Sequence, residues 1–231
     1  MIISVHMPKT AGKSFAASLK EYFKGSLMED YGDAPINAPR NERLRKLLAV
    51  AADNVGKSAG NVRCIHGHFM PFKYFPLLDS DKESVDFVTW LREPFDRMRS
   101  HYDYWKSSYD PLCSQTLHRR VVEENWSFHR FCFSDEMKNI YHQFLWAFPL
   151  EHFSFIGITE FYDHDFAFFS KEYFGVEMSA RRENIGSPGG QARIPADKGL
   201  AREFREHHWD DYQIYEAALS LRLTRMTRDI G

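Results

Sequence analysis

The first six residues, MIISVH, are almost all apolar or β-branched, which predicts a short buried strand over 1–6. Residues 8–14, PKTAGKS, interrupt it as a turn-rich loop. Phe15, Leu19, Tyr22 and Phe23 then fall at i, i+4, i+7 and i+8, one face of a helix. The chain thus opens with strand, tight loop, helix. Residues 25–41 hold Gly25, Gly32, Pro35 and Pro39 and read as a loop, and 42–55 as a helix through Leu44, Leu47, Leu48 and Ala51. A strand is predicted at 62–65, ending in His66-Gly67-His68. The clearest strand is 85–91, nearly continuous in apolar and β-branched residues and closed by Arg92-Glu93-Pro94. The helix after it stacks Phe95, Met98, Tyr102 and Trp105, with Pro94 at its first turn, where proline is tolerated. Residues 110–150 are aromatic-rich with helical character, 153–159 is another strand, and 163–174 and 198–226 are helical. Residues 181–195, RRENIGSPGGQARIP, form a long glycine- and proline-rich loop, of a length often given to function.

Strands alternating with helices predict an α/β fold, a parallel sheet covered by helices on both faces, as one domain over 1–231. Composition agrees: 231 residues, 43% hydrophobic and 27% charged, support a core and exclude a disordered chain. Lys and Arg number 30 against 32 Asp and Glu, a net charge of −2. That excludes a globally basic nucleic-acid binder and leaves room for a local basic pocket. No run approaches the roughly 18 apolar residues of a membrane span. The first residues lack a signal-peptide layout, and the chain begins directly on its first strand, so a cytoplasmic protein is expected. Cys64, Cys113 and Cys132 are too few and too scattered for a disulfide framework or zinc knuckle, and are expected as buried thiols. Neither His-Glu-x-x-His nor clustered carboxylates occur, so no metal site is expected.

Candidate chemistry gathers after the strands, where parallel α/β sheets bind ligands. The loop Pro8-Lys9-Thr10-Ala11-Gly12-Lys13-Ser14 leads into a helix N-terminus, whose backbone N–H groups and dipole suit a phosphate-like anion. Lys9 adds a charge and Ser14 a hydroxyl. The nucleotide-binding pattern of glycine, four residues, then Gly-Lys-Ser fails, because Met7 stands where the first glycine is required. Arg92 ends the third predicted strand, and Ser100 lies eight residues on, about 140° around the helix from Phe95. Such an arginine can fork onto a phosphate while the serine donates its hydroxyl. The plainer reading pairs Arg92 with Glu93 or Asp96. His66 and His68, at i and i+2 of an extended segment, share one side, and imidazole suits general-base work.

His6-Met7-Pro8-Lys9-Thr10-Ala11-Gly12-Lys13-Ser14-Phe15 resembles the 5′-phosphosulfate loop of the sulfotransferases, in the His-x-Pro-Lys-Thr form of the carbohydrate-type branch. Leu91-Arg92-Glu93-Pro94-Phe95-Asp96-Arg97-Met98-Arg99-Ser100-His101-Tyr102 resembles that family's 3′-phosphate motif. Gly157-Ile158-Thr159-Glu160 and Asp211-Tyr212-Gln213-Ile214-Tyr215 look like further family segments, and His-Gly-His before an aromatic stretch resembles the uronosyl 2-O-sulfotransferases. Lys13 departs from the pattern, which more often has a small hydroxyl residue there.

The resemblance implies a P-loop-like three-layer fold. It implies 3′-phosphoadenosine 5′-phosphosulfate (PAPS) as donor, 3′,5′-adenosine bisphosphate as product and no metal. The reaction is in-line sulfuryl transfer to an acceptor hydroxyl, on a carbohydrate by the branch it resembles. His68, or its neighbour His66, would be the base, and Lys9 would stabilise the leaving oxygen. Lys9, Thr10, Ala11, Gly12, Lys13 and Ser14 would hold the 5′-phosphate, and Arg92 and Ser100 the 3′-phosphate. Arg182 would sit in a lid over the nucleotide. Two alternatives stand beside this: a kinase of a small metabolite, and a nucleotide-binding module without transfer activity. His6 is expected as a satisfied core histidine, His101 as packing, and His207-His208 on the surface. Tyr104, Trp105, Trp126 and Trp146 offer faces for sugar rings or for the core, and Asn139 and Gln143 lie one turn apart to face an acceptor.

Overall fold

The computed structural model describes residues 1–33, 36, 38–56, 60–78, 84–178 and 198–228. In chain order the elements are β1 (Ile2–Val5), α1 (Gly12–Phe23), β2 (Leu27–Glu29), α2 (Arg40–Asn54), β3 (Cys64–Gly67), β4 (Asp86–Leu91), α3 (Pro94–Ser107), α4 (Thr116–Glu123), α5 (Phe128–Cys132), α6 (Ile140–Phe144), β5 (Phe153–Ile158), α7 (Tyr162–Phe169), α8 (Lys198–His207) and α9 (Trp209–Arg228). The strands form one sheet in the order β2-β3-β1-β4-β5. Every neighbouring pair in it is parallel. This is the α/β fold read from the alternation of strands and helices.

Period-two alternation divides the core between the two faces. Ile3 and Val5 of β1 join Ile65, Phe87 and Leu91 under α3, α6, α8 and α9, through Phe95, Met98, Tyr141, Phe204, Tyr212 and Tyr215. Ile2 joins Cys64, Val88 and Trp90 under α1 and α7, through Phe15, Leu19, Phe166 and Phe169. Phe15 and Leu19 are almost wholly buried, and each such side chain contributes roughly 1.5–3 kcal/mol over an exposed one.

Several expectations change. The predicted loop over 25–41 contains the edge strand β2, pinned by Arg63 N–H to Ser26 C=O at 2.8 Å and Asp30 N–H to His66 C=O at 2.9 Å. Gly67 lets that chain cross closely, because a Cβ there would overlap the Asp30 carbonyl. The strand predicted at 62–65 runs over Cys64–Gly67, so His66 lies inside it. Helix over 163–174 divides into α7 and a π-helical turn at Ser170–Phe174. Cys64 and Cys132 are buried, as expected, while Cys113 is exposed. His208 is fully buried rather than on the surface, with Nε2 on the Cys132 carbonyl at 2.8 Å and Nδ1 accepting from Asn139 N–H at 3.1 Å. The predicted loop over 181–195, with Arg182, lies outside the described residues.

Candidate functional site

β1 is the central strand, so the loop after it opens at the middle of the carboxyl edge of the sheet. Two non-glycine residues of that loop take left-handed backbone conformations, Lys9 at φ 68° and Ala11 at φ 63°. Each such residue costs roughly 1–2 kcal/mol, and alternating left- and right-handed residues aim successive N–H groups at one point. The Thr10 hydroxyl donates to the Met7 carbonyl at 2.9 Å and so braces the loop. The first hydrogen bond of α1 runs from Phe15 N–H to Ala11 C=O. The amides of Gly12, Lys13 and Ser14 therefore lie ahead of the helical ladder. No acidic residue sits in this first turn.

The second motif faces the first. In α3, Ser100 and Tyr104 lie one turn apart on the same face. Lys9 Nζ stands 4.0 Å from the centroid of the Tyr104 ring, and Lys13 Nζ 5.5 Å from it. Burial, then the charges of Lys13 and Arg92, push the Lys9 ammonium down to about 8, against a small opposing pull from Asp103. Among the described residues neither Lys9 nor Arg92 is ion-paired to a carboxylate. Three cations thus gather beside a helix N-terminus with little compensation.

Glu93 is not the partner of Arg92 that adjacency suggests. It caps α3, its carboxylate accepting from Asp96 N–H at 2.7 Å and from Tyr212 Oη at 2.5 Å. Burial pushes its carboxyl up.

The third part of the site is a histidine pile. Strand register sets Ser4 beside His66 and Val5 beside Gly67, and His6 N–H continues the ladder onto Gly67 C=O at 2.8 Å. Alternation then puts His6, His66 and His68 on one face. The His6 ring stacks on His68 at 4.2 Å and on His66 at 5.1 Å. His6 is therefore a member of the site, not an isolated core histidine. It also explains Gly12, where a Cβ would overlap the His6 imidazole. Tyr31, from the segment after β2, reaches His6 Nδ1 at 3.4 Å and sets its ring edge-on to His68 at 5.0 Å. That segment is held by Lys73, which bonds Asp30 at 2.7 Å and Asp33 at 2.9 Å, and by Tyr74 Oη on Asp30 at 2.7 Å.

The two histidines of the His-Gly-His segment differ. His68 is half-buried, and its Nδ1 bonds the His6 carbonyl at 2.5 Å. A carbonyl only accepts, so Nδ1 carries the proton and Nε2 presents a lone pair. Burial lowers the His68 pKa, which keeps the ring neutral near pH 7. His66 is 1% exposed, with Nδ1 on Ser4 Oγ at 2.8 Å and its pKa pushed down by burial to about 3.

Several other sequence candidates pack or pair within the fold. His101 packs edge-on to Trp105 and Phe131. Trp105 and Trp126 are core residues. Asn139 donates from its side chain to Asp210 at 2.8 Å, and Gln143 bonds Arg43 at 2.8 Å and the Lys138 carbonyl at 2.6 Å. Sequence reasoning missed Tyr31, which carries no local signal and reaches the site through the edge strand, and offered Tyr104 for a sugar ring or the core, whereas its ring lies under Lys9. Among the described residues no group of three or more His, Cys, Asp or Glu side chains is arranged to hold a metal ion, and no helix is long and apolar enough to cross a membrane.

No family model matches the chain, and no curated protein matches it. Solved structures do. A sulfotransferase from Alicyclobacillus acidocaldarius aligns over 94% of both chains at 13% identity, with a TM-score of 0.46. Mouse sulfotransferase SULT7A1, complexed with PAP, aligns over 89% of this chain and 62% of its own at 14% identity, with a TM-score of 0.36.

Proposed function

We propose that the protein is a sulfotransferase that takes PAPS as donor and an acceptor hydroxyl, on a carbohydrate by the branch its motifs resemble. The observation that carries the reading is the convergence of two anion-ready motifs on one sheet edge beside a neutral histidine. Lys9, Lys13 and Arg92 meet there with no carboxylate paired to Lys9 or Arg92 among the described residues. A donor with phosphates at both 5′ and 3′ positions fits such a set.

In this reading the backbone of Thr10 to Ser14 holds the 5′-phosphosulfate end, and Arg92 and Ser100 hold the 3′-phosphate. The donor supplies a sulfuryl group on a phosphate leaving group. His68 Nε2 takes the acceptor proton, and the His6 carbonyl keeps the opposite nitrogen protonated. Lys9, resting on Tyr104, meets the charge that develops on the bridging oxygen. Positioning and fixed charge then carry most of the rate, as in phosphoryl transfer. His66 supports the pile from behind through Ser4.

The test is a metal-free calorimetric titration of the purified protein with 3′,5′-adenosine bisphosphate and, separately, with ATP. Tight binding of the bisphosphate, weak binding of ATP, and loss of the difference in Arg92→Ala are expected. Preference for ATP, restored further by magnesium, overturns the reading in favour of a kinase.

A further inference from the structure

Arg92 is held by its backbone, from residues far away in sequence. Tyr141 Oη accepts from Arg92 N–H at 2.9 Å and donates to Arg92 C=O at 2.7 Å. One hydroxyl therefore satisfies both main-chain groups of the residue that follows β4, where the ladder has ended. Tyr141 has no solvent exposure, and the Arg97 guanidinium lies 5.5 Å from its ring centroid. Its helix, α6, is only five residues long and is itself anchored, because Asp211 of α9 accepts from His142 N–H at 3.1 Å.

The next residue is fixed from the same side. Tyr212, adjacent to Asp211, donates to Glu93 at 2.5 Å. Glu93 N–H donates to Glu160 at 2.9 Å, and Tyr215 Oη donates to Glu160 at 3.2 Å. Arg92 and Glu93 are thus gripped by phenols from α6 and α9, while the Arg92 side chain stays half-buried and unpaired by a carboxylate among the described residues.

We infer that Tyr141 and Tyr212 are positioning residues, which aim the Arg92 guanidinium at the 3′-phosphate and thereby set selectivity for a 3′-phosphorylated nucleotide. This rests on the donor-site reading above. Neither phenol touches the nucleotide in this scheme. Their removal should therefore act on recognition of the 3′-phosphate and spare the 5′ end, which is held by a different loop.

The experiment compares the affinity for 3′,5′-adenosine bisphosphate with that for adenosine 5′-monophosphate, in wild type, Arg92→Ala, Tyr141→Phe and the double variant. In Tyr141→Phe the ratio of the two affinities is expected to fall at least about tenfold, with monophosphate affinity within about twofold of wild type. In the Arg92→Ala background the same substitution should add little, the sign of two residues acting through one contact. A ratio in Tyr141→Phe equal to wild type overturns the inference. If Tyr141→Phe does not fold, Tyr212→Phe carries the test, with a fall of about threefold or more expected and an unchanged ratio overturning it. Equal affinity for both nucleotides in wild type would instead overturn the donor-site reading itself, and this inference with it.

Discussion

Burial at the edge of the sheet pushes His68 and Lys9 in the same direction, toward their neutral forms. Burial lowers the His68 pKa from 6.5, and so leaves Nε2 unprotonated through neutral pH. His68→Ala is expected to cut sulfuryl transfer from labelled donor at least about a hundredfold, with the fold intact by circular dichroism. Near-normal turnover in the folded variant would remove the base assignment. The acid limb of kcat/KM should fall below pH 6.5, since protonation at Nε2 removes the lone pair. The Lys9 ammonium, pushed down to about 8, begins to lose its charge just above neutrality. A bound dianion favours the charged form, so binding should draw in a proton when the pH is near or above 8. Affinity for the bisphosphate is therefore expected to weaken as pH rises from 7 to 9, by at most tenfold per unit for one linked proton. Calorimetry in buffers of different ionisation heat measures the uptake, and Lys9→Ala should abolish it.

At the scale of elements, the legible parts were those whose signal is local. The run at 85–91, the loop 8–14 and the Phe15-Leu19-Phe23 stripe each announce themselves within a dozen residues, and all are present as β4, the β1–α1 loop and α1. β2 escaped notice because three residues with one side chain half-buried and two exposed carry no alternation to read. The role of His6 was hidden because its partners arrive through the register of β1 on β3, across some sixty residues of chain. Glu93 was misread for a related reason. Beside Arg92 it suggests an ion pair, yet a carboxylate one residue before Pro94 sits at the N-cap, where the unpaired Asp96 amide claims it. The contact of Tyr141 was unreadable in principle, since a phenol that serves a distant backbone leaves no spacing, and the segment holding Tyr212 was singled out without its partner Glu93. The loop 8–14 and the helix carrying Ser100 were legible as elements, but the placing of Tyr104 under Lys9 was not, because only the packing of α3 brings that ring there.

The whole molecule carries a further consequence of its buried imidazoles. His66, His101 and His208 are each no more than 3% exposed. Burial pushes His66 and His208 down to about 3, and His101 well below 6.5. His208 shows why: Nδ1 accepts from Asn139 N–H, so a second ring proton would face a donor. A group whose folded pKa is depressed leaves the unfolded chain with more bound protons below 6.5, so stability falls as pH falls. Each neutral imidazole then loses about 1.4 kcal/mol per pH unit, roughly 4 kcal/mol for the three. Asp211 acts in the opposite sense. Burial raises it to about 6, so between 6 and 3.8 the folded state holds one extra proton and offsets one histidine. His6 and His68 add to the loss, while Glu93 and Asp103, raised by burial, subtract from it. A net slope of about 3 kcal/mol per unit would consume a typical 5–15 kcal/mol of stability within a few units. Urea midpoints are therefore expected to decline already between pH 6.5 and 5, and further below it. In His208→Gln the protein should be weaker at pH 7, yet its stability should fall less steeply with acid. A slope unchanged from wild type would mean that His208 is not held neutral by the fold.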